Sequence, residues 1–232
     1  MSVKEDLLRN LKISLDEKQE EQFEKYYAFL IEYNKKINLT RITEKKEVYY
    51  KHFYDSLTIV QTVDMANINS ICDMGSGAGF PSIPLKIIYP DLDVTIIDSL
   101  NKRITFLNEL TNLLEISNVH LIHDRIETFA IKHQKKYDLV IARALGNMQL
   151  ITEMGLPMTK PGGYLVAYKA LNYDLELSQA SACINKLGGK ISDVRTFELP
   201  QEFGHRVHVV VNKVKHVDGY PRSFVKMTKN PL

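Results

Sequence analysis

The first part of the chain carries its apolar residues at helical spacing. Phe23, Tyr26, Tyr27, Leu30 and Ile31 fall three and four positions apart and draw one apolar stripe along a predicted helix. Ser14 and Glu17 have the spacing of a capping box, so the helix is expected to open there. Asn34-Lys35-Lys36 suits its end. A second helix is expected after Thr43, running through Val48, His52 and Phe53. The aromatic stripe reads as core rather than as a base-stacking surface.

From Ile68 the period changes. Short apolar runs alternate with amphipathic stretches. Residues 70–73, 94–98, 119–123, 139–142 and 164–168 read as strands. Helices are expected after Pro81, over 101–114, after Gly146 and over 174–187. Alternation of this kind gives parallel strands joined by crossover helices, hence a doubly wound α/β sheet. Residues 190–199 and 206–214 look like two strands joined by a short turn, which predicts an antiparallel edge. No Pro-, Gly- or Ser-rich linker divides the chain. Residues 1–67 are expected to pack as a helical extension on a core of residues 68–214, followed by a basic tail over 215–232.

Composition narrows the function class. The 232 residues are 44% hydrophobic and 25% charged, the balance of an ordinary folded domain rather than a disordered chain. The formal net charge of +2 excludes a histone-like polybasic protein, yet the cations cluster. Six Lys or Arg stand against two Glu between Lys35 and His52, and six against one Asp between His205 and Leu232. Such segments are either solvated surface or the cationic face of a nucleic-acid enzyme. Two cysteines, Cys72 and Cys183, exclude a disulfide framework and a four-cysteine zinc site, and no metal centre is expected. No apolar run is long enough to span a membrane, and residues 1–6 carry acids where a signal peptide needs an apolar stretch. A cytoplasmic location is expected.

The most informative stretch is Ile71-Cys72-Asp73-Met74-Gly75-Ser76-Gly77-Ala78-Gly79-Phe80-Pro81. An apolar strand ends in an acid and opens into three glycines at alternate positions, which permit a tight turn and close approach of a ligand to the backbone. Pro81 suits the first turn of the following helix. A dinucleotide loop has the spacing G-x-G-x-x-G and seats pyrophosphate on a helix N-terminus. Here the spacing is G-x-G-x-G, and the preceding Asp73 would repel pyrophosphate. It suits a cofactor with a cationic end and no phosphate, which describes S-adenosylmethionine. Asp98 ends the second strand, where a carboxylate accepts hydrogen bonds from both ribose hydroxyls. Ile126 and Glu127, after the third strand, are candidates for contact with the adenine. Asp73, Gly75, Gly77, Gly79 and Asp98 complete this candidate cofactor site. The pattern is that of an α/β, Rossmann-like class I S-adenosylmethionine-dependent methyltransferase fold.

The strand over 137–142 ends in Arg143-Ala144-Leu145, and ligands of open α/β sheets sit beyond such ends. No Asp/Asn-Pro-Pro-aromatic loop for an exocyclic amino acceptor follows. Methylation of pyrimidine C5 needs a thiolate, and Cys72 in a buried strand and Cys183 in a helix are not placed for it. The chain offers cations instead: Arg125, Arg143, Lys169 and Arg206. These fit an acceptor that needs no general base, such as guanine N7, whose lone pair can attack the sulfonium methyl in line while the protein positions it. A cation against N7 would oppose the charge forming there. Arg143 and Lys169 are therefore assigned to phosphate or O6 contacts and to holding the cofactor pocket.

Five blocks of the sequence, in order, resemble one known family. They are Asn34-Lys35-Lys36-Ile37-Asn38-Leu39-Thr40, Lys51-His52-Phe53-Tyr54-Asp55-Ser56-Leu57, the loop from Asp73 to Pro81, Asp98-Ser99-Leu100-Asn101-Lys102-Arg103, and Arg143-Ala144. The family is the glucose-inhibited division protein B family of bacterial small-subunit ribosomal RNA guanine-N7 methyltransferases, and the resemblance covers about residues 7 to 232. It implies methylation of a guanine N7 in the decoding-region loop of 16S ribosomal RNA, free or in the small-subunit ribonucleoprotein. S-adenosylmethionine is the implied donor and S-adenosylhomocysteine the product. Gly75, Phe80, Ile126, Glu127 and Arg143 match the family's cofactor positions, and Asp98 its ribose-binding acid. Arg125, Lys169 and Arg206 match basic positions with RNA or active-site roles. With Arg143, Arg125 and Lys169 form the candidate catalytic set. Lys35, Lys36, Arg41, Lys45, Lys46, Arg206 and Arg222 form the candidate RNA-binding set. Tyr220-Pro221-Arg222 resembles the family's basic C-terminus, but Ser223-Phe224-Val225 stands where Lys-Pro-Gly is usual. A monomer is expected.

Three alternatives stay open at this point: a methyltransferase acting on another RNA, one acting on a small molecule, and a non-catalytic S-adenosylmethionine sensor that binds RNA. The basic segments favour RNA over a small molecule. Asp73 and the loop spacing disfavour a nicotinamide dehydrogenase.

Overall fold

The computed structural model describes residues 2–170 and 173–232. The N-terminal part is helical. α1 (Val3–Asp6) runs on as a π-helical turn over Leu7–Leu11. α2 (Glu17–Asn34) is capped by Asp16, whose side chain accepts from the Gln19 amide while Gln19 reaches back. The cap therefore lies two residues beyond the expected Ser14. Asp16 and Gln19 repeat the same spacing, and an aspartate caps as well as a serine, worth about 1 kcal/mol. α3 (Lys45–Val48), a π-helical segment Tyr49–Tyr54, α4 (Asp55–Leu57) and a 3-10 turn Thr58–Gln61 follow one another without a break. The expected second helix is thus present, but widened in its middle.

Five strands then alternate with helices. They are β1 (Ser70–Met74), β2 (Asp93–Asp98), β3 (Val119–His123), β4 (Tyr137–Arg143) and β5 (Thr159–Lys169). α5 (Ser82–Ile88), α6 (Asn101–Leu113), α7 (Ile126–Lys132) and α8 (Met148–Met158) connect them. α9 (Asp174–Lys186) leads to β6 (Gly189–Glu198) and β7 (His205–Lys213), and α10 (Phe224–Lys229) lies in the tail. The sheet order is β3-β2-β1-β4-β5-β7-β6. β7 pairs antiparallel with both β5 and β6, and the other pairings are parallel. The antiparallel edge is as expected.

The strands are buried on both faces, so neighbouring residues enter opposite cores. Ile71, Leu139 and Ile141 face one cluster, with Tyr26 and Leu30 of α2 and Phe106 of α6. Cys72, Val140 and Ala142 face the other, with Met148 and Ile151 of α8 and Ile184 of α9. α2 is tied down by three side chains that donate to backbone carbonyls: Gln19 to Ile87 (3.1 Å), Gln22 to Leu114 (2.7 Å) and Tyr26 to Ala78 (2.5 Å). No described helix is long and apolar enough to cross a membrane.

The differences from the expected elements have local causes. β5 starts at Thr159, because Thr159 pairs with Tyr137 before the ladder shifts register across Pro161-Gly162-Gly163. Pro81 stands at the cap of α5, one position before its first turn. Periodicity does not predict α7, since its seven residues are too few to show a stripe.

β1 pairs with β2 on one side and β4 on the other, and Met74 is level with both Ile97 and Ala142. The strand order reverses beside β1, and ligands bind at such switch points, beyond the carboxyl ends of the strands.

Candidate active site

Two clefts meet beyond the ends of β1, β2 and β4. The first, about 320 Å³, is lined by Asp98, Ser99, Ile126, Glu127, Leu145 and Phe224, among others. The second, about 230 Å³, is lined by Thr40, His52, Ser76, Gly77, Phe80 and Arg143, among others. Gly75, Arg103 and Ala144 line both, so the clefts share a wall. A larger cleft of about 540 Å³ opens between the N-terminal segment, α2 and α3, but no strand end reaches it.

The loop after β1 shapes the shared wall. Gly75 has φ +74° and donates its N–H to the Ile97 carbonyl at 2.8 Å. Gly79 has φ +98°, and a Cβ there would come within 2.7 Å of the Tyr26 hydroxyl. It is a close-packing position behind the loop and lines neither cleft, whereas Gly75 lines both and Gly77 the second. Asp73 is fully buried and also lines neither. Its Oδ2 accepts from the Ser82 amide at the start of α5 (3.2 Å), and its Oδ1 has no partner. Burial pushes the carboxyl up to about 7, against the pull of the Ser82 hydrogen bonds and Arg143. The expectation that this acid faces a cationic ligand end is corrected: strand parity puts Asp73 on the side of Ile71, under α5.

Asp98 has the better placement. Its side chain is 2% exposed, and it accepts from the Leu100 amide through Oδ1 (2.9 Å) and from Arg103 Nη1 through Oδ2 (3.1 Å). A carboxylate has about four lone-pair positions, so two remain for ribose hydroxyls. Ile126 and Glu127 open α7. Arg125 Nε holds Glu127 Oε1 at 2.5 Å, while its guanidinium lies 4.9 Å from the centre of the Phe224 ring. Buried carboxylate, polar rim and apolar wall fit an adenosine moiety.

Arg143, at the end of β4, is held from every side. Nη2 donates to the Lys51 carbonyl (2.7 Å), approaches His52 Nδ1 (3.0 Å) and pairs with Asp55 Oδ2 (3.1 Å). The guanidinium lies 5.6 Å from the Phe80 ring centre. Phe80 is itself sandwiched between Tyr26 (5.4 Å) and His52 (4.5 Å). His52 is buried beside this cation, and its pKa is lowered to about 3. The imidazole is therefore neutral, with its Nδ1 between Arg143 Nη2 (3.0 Å) and the Lys51 carbonyl (3.1 Å) and its Nε2 2.9 Å from Thr40 Oγ1. Thr40 is presented by a loop that Asn34 pins: its Oδ1 accepts from the Leu39 and Thr40 amides and its Nδ2 donates to the Thr40 carbonyl. The Ser76 hydroxyl in the same cleft is buried and unpartnered. Both thiols are buried outside the clefts.

With this geometry in view, the comparisons with known proteins are decisive. A family profile described as GidB, rRNA small subunit methyltransferase G, matches residues 19–203. The chain belongs to this family. It is 48% identical over 223 residues to the ribosomal RNA small subunit methyltransferase G of Bacillus subtilis (strain 168), covering 95% of this chain and 93% of that protein. It is 46% identical to the protein of the same description from Staphylococcus aureus (strain NCTC 8325 / PS 47), covering 97% and 95%. A solved variant of the 16S rRNA (adenine(1408)-N(1))-methyltransferase with cosubstrate SAM from Catenulisporales acidiphilia aligns with TM-score 0.51 at 16% identity, over 65% of this chain and 87% of that one. A putative methyltransferase from Thermoplasma acidophilum aligns with TM-score 0.51 at 17% identity, over 64% and 71%. The fold is the Rossmann-like class I S-adenosylmethionine-dependent methyltransferase fold.

In this methyltransferase G family member, three sequence-predicted cations lie apart from the clefts or are already partnered. Lys169 lines neither cleft: its ammonium donates to the Gly146 carbonyl (2.8 Å) and to Glu176 (2.6 Å), tying the end of β5 to α9. Arg222 forks onto Glu153, itself 2% exposed, at 2.6 and 2.7 Å, and so pins the tail to α8. Arg206 pairs with Asp55 Oδ1 at 3.0 Å, on the same carboxylate as Arg143. In the first basic segment, Lys35 pairs with Glu32 and Lys45 with Glu24. Lys36, Arg41 and Lys46 form no ion pair among the described residues.

The predicted set omitted Thr40, His52, Asp55, Arg103 and Phe224 as site residues. His52, Asp55 and Ser56 are polar positions three and four apart among the apolar residues Tyr50, Phe53, Tyr54 and Leu57, and that spacing is the available signal.

Proposed function

We propose that this chain transfers a methyl group to N7 of a guanine in the decoding-region loop of 16S ribosomal RNA. The observation that carries the reading is the pair of joined clefts, one fitted to adenosine and the other walled by a fixed arginine without a general base. Among the described residues of the second cleft there is no carboxylate and no thiol. Both ring nitrogens of His52 are taken up by Arg143, the Lys51 carbonyl and Thr40. Such a site suits an acceptor whose lone pair is free at neutral pH.

When bound, S-adenosylmethionine supplies an electrophilic methyl on its sulfonium and leaves as S-adenosylhomocysteine. Asp98 accepts from the ribose, Ile126 and Glu127 meet the adenine, and Gly75 lets the ligand close on the backbone. Arg143, immobilised over Phe80, presents its remaining N–H groups to guanine O6 or a phosphate and takes no proton. Positioning of this kind lowers barriers by several kcal/mol. Lys36, Arg41 and Lys46 meet the RNA backbone. Residues 1–67 supply the acceptor-side wall and residues 68–214 the cofactor-binding core. The chain works as a monomer in the cytoplasm, where small subunits are assembled.

Borohydride and aniline cleavage of 16S ribosomal RNA from a deletion strain and its parent tests this. The expected result is one cleavage in the decoding-region loop, present in the parent, absent from the deletion and restored by the gene. An unchanged pattern overturns the reading. A second assay compares naked RNA with isolated subunits as methyl acceptors.

A further inference from the structure

The C-terminal segment returns to the cleft that bears Asp98. Gln134 Nε2 donates to the Tyr220 carbonyl at 2.9 Å, and the Arg222 fork on Glu153 fixes the next turn of chain to α8. Gln149 Nε2 holds the Leu232 carbonyl at 2.7 Å. Between these anchors α10 buries Met227 in the core cluster of α8 and α9. Phe224, the first residue of α10, is 38% exposed and lines the first cleft with Ile126 and Glu127. This exposed phenylalanine, with an arginine over its ring, is an aromatic wall of that cleft.

Arg125 joins the parts. One guanidinium touches the Phe224 ring at 4.9 Å and the Glu127 carboxylate at 2.5 Å. It therefore links the aromatic wall and the polar edge of the cleft.

We infer that the C-terminal helix is part of the cofactor site: Phe224, backed by Arg125 and strapped down through Arg222 and Glu153, forms an outer wall for the adenine of S-adenosylmethionine. The inference rests on the cofactor reading of the Asp98 cleft and gives the tail a task in that cleft rather than on RNA. Phe224 belongs to the Ser223-Phe224-Val225 stretch that departs from the family pattern.

The chain has no tryptophan, so Phe224→Trp installs a single emission probe in the wall. Titration of the full-length variant with S-adenosylhomocysteine is expected to change its emission saturably, with the Kd that calorimetry gives, and homocysteine alone is expected to leave it unchanged. Phe224→Ala is expected to weaken S-adenosylhomocysteine binding roughly three- to tenfold, the range of one aromatic contact, with an unaltered melting temperature. Asp98→Ala is the control. Loss of binding in Asp98→Ala, with Phe224→Ala unchanged and the tryptophan silent, overturns the role of the tail while the cofactor cleft stands. Undiminished binding in Asp98→Ala overturns the cleft reading and this inference with it.

Discussion

The carboxylate of Asp55 stands between two arginines, with Oδ2 3.1 Å from Arg143 and Oδ1 3.0 Å from Arg206. The acid is 2% exposed, so one buried anion orients two cations from different strands. Removing one partner from such a cluster leaves buried charge uncompensated.

Asp55→Asn keeps the shape but can no longer accept from both guanidinium groups. Transfer of tritiated methyl to 16S ribosomal RNA is expected to fall at least about tenfold, as befits one charge-assisted hydrogen bond removed. S-adenosylhomocysteine affinity is expected to stay within about twofold, since Asp55 lines neither cleft. Full transfer activity in the variant would show that the reaction does not depend on Asp55 holding Arg143.

His52 makes the acid limb of stability. Its folded pKa of about 3 lies below the ordinary histidine value, because burial and Arg143 disfavour the charged ring. The unfolded chain binds the proton first, so this contribution is fully present above about pH 6.5 and is lost as pH falls toward the folded value. His208, buried between Thr58 and Thr62, acts in the same direction. Thermal melts at pH 4.5 and 7.5 are expected to show a smaller acid loss in His52→Phe than in the unaltered protein. Equal losses would mean that the ring is not buried as a neutral base.

Asp73 has the opposite sign. Its folded pKa of about 7 lies above the ordinary carboxyl range, chiefly through burial. The folded state holds the proton longer than the unfolded chain, so stability falls as pH rises from about 4 to 7 and is level beyond. Asp73→Asn cannot ionise. Its melting temperature minus that of the unaltered protein is expected to rise between pH 5 and pH 8, and a flat difference counts against a buried carboxyl.

The basic segment is divided by its partners. Reversing Lys36, Arg41 and Lys46 to Glu is expected to lower RNA affinity and to flatten the dependence of log K on log salt by about one unit for each phosphate no longer neutralised. Neutralising Lys35 and Lys45, already paired with Glu32 and Glu24, is expected to do less. Equal effects from the two sets would show that these ion pairs open on RNA.

The parallel core was legible because strands buried on both faces leave short continuous apolar runs, as around Ile71, Ile96 and Val140. Asp98 and Arg143 were legible because each closes such a run. Asp73 was misread as a pocket wall, although its parity with Ile71 already turns it toward α5. The grip on Arg143 was hidden by the π-helical segment Tyr49–Tyr54, since one widened turn decides where Lys51 and His52 point. Arg222 looked like a free tail cation because its partner, Glu153, lies 69 residues away in an apolar helix. A lone acid in such a helix signals a distant cation, but not which one.

β7 is the reversed member of the sheet, and its backward course has a use. Strands that run with their neighbours deliver their last residues to the mouth of the molecule; this one delivers its second, Arg206, while its far end buries Lys213 beneath carbonyls. A cation that arrives early in its strand is fixed by the length of the hairpin leading into it. Inserting or deleting a residue in the Pro200–Glu202 turn would thus re-aim the charge that shares Asp55 with Arg143 without touching any residue around it.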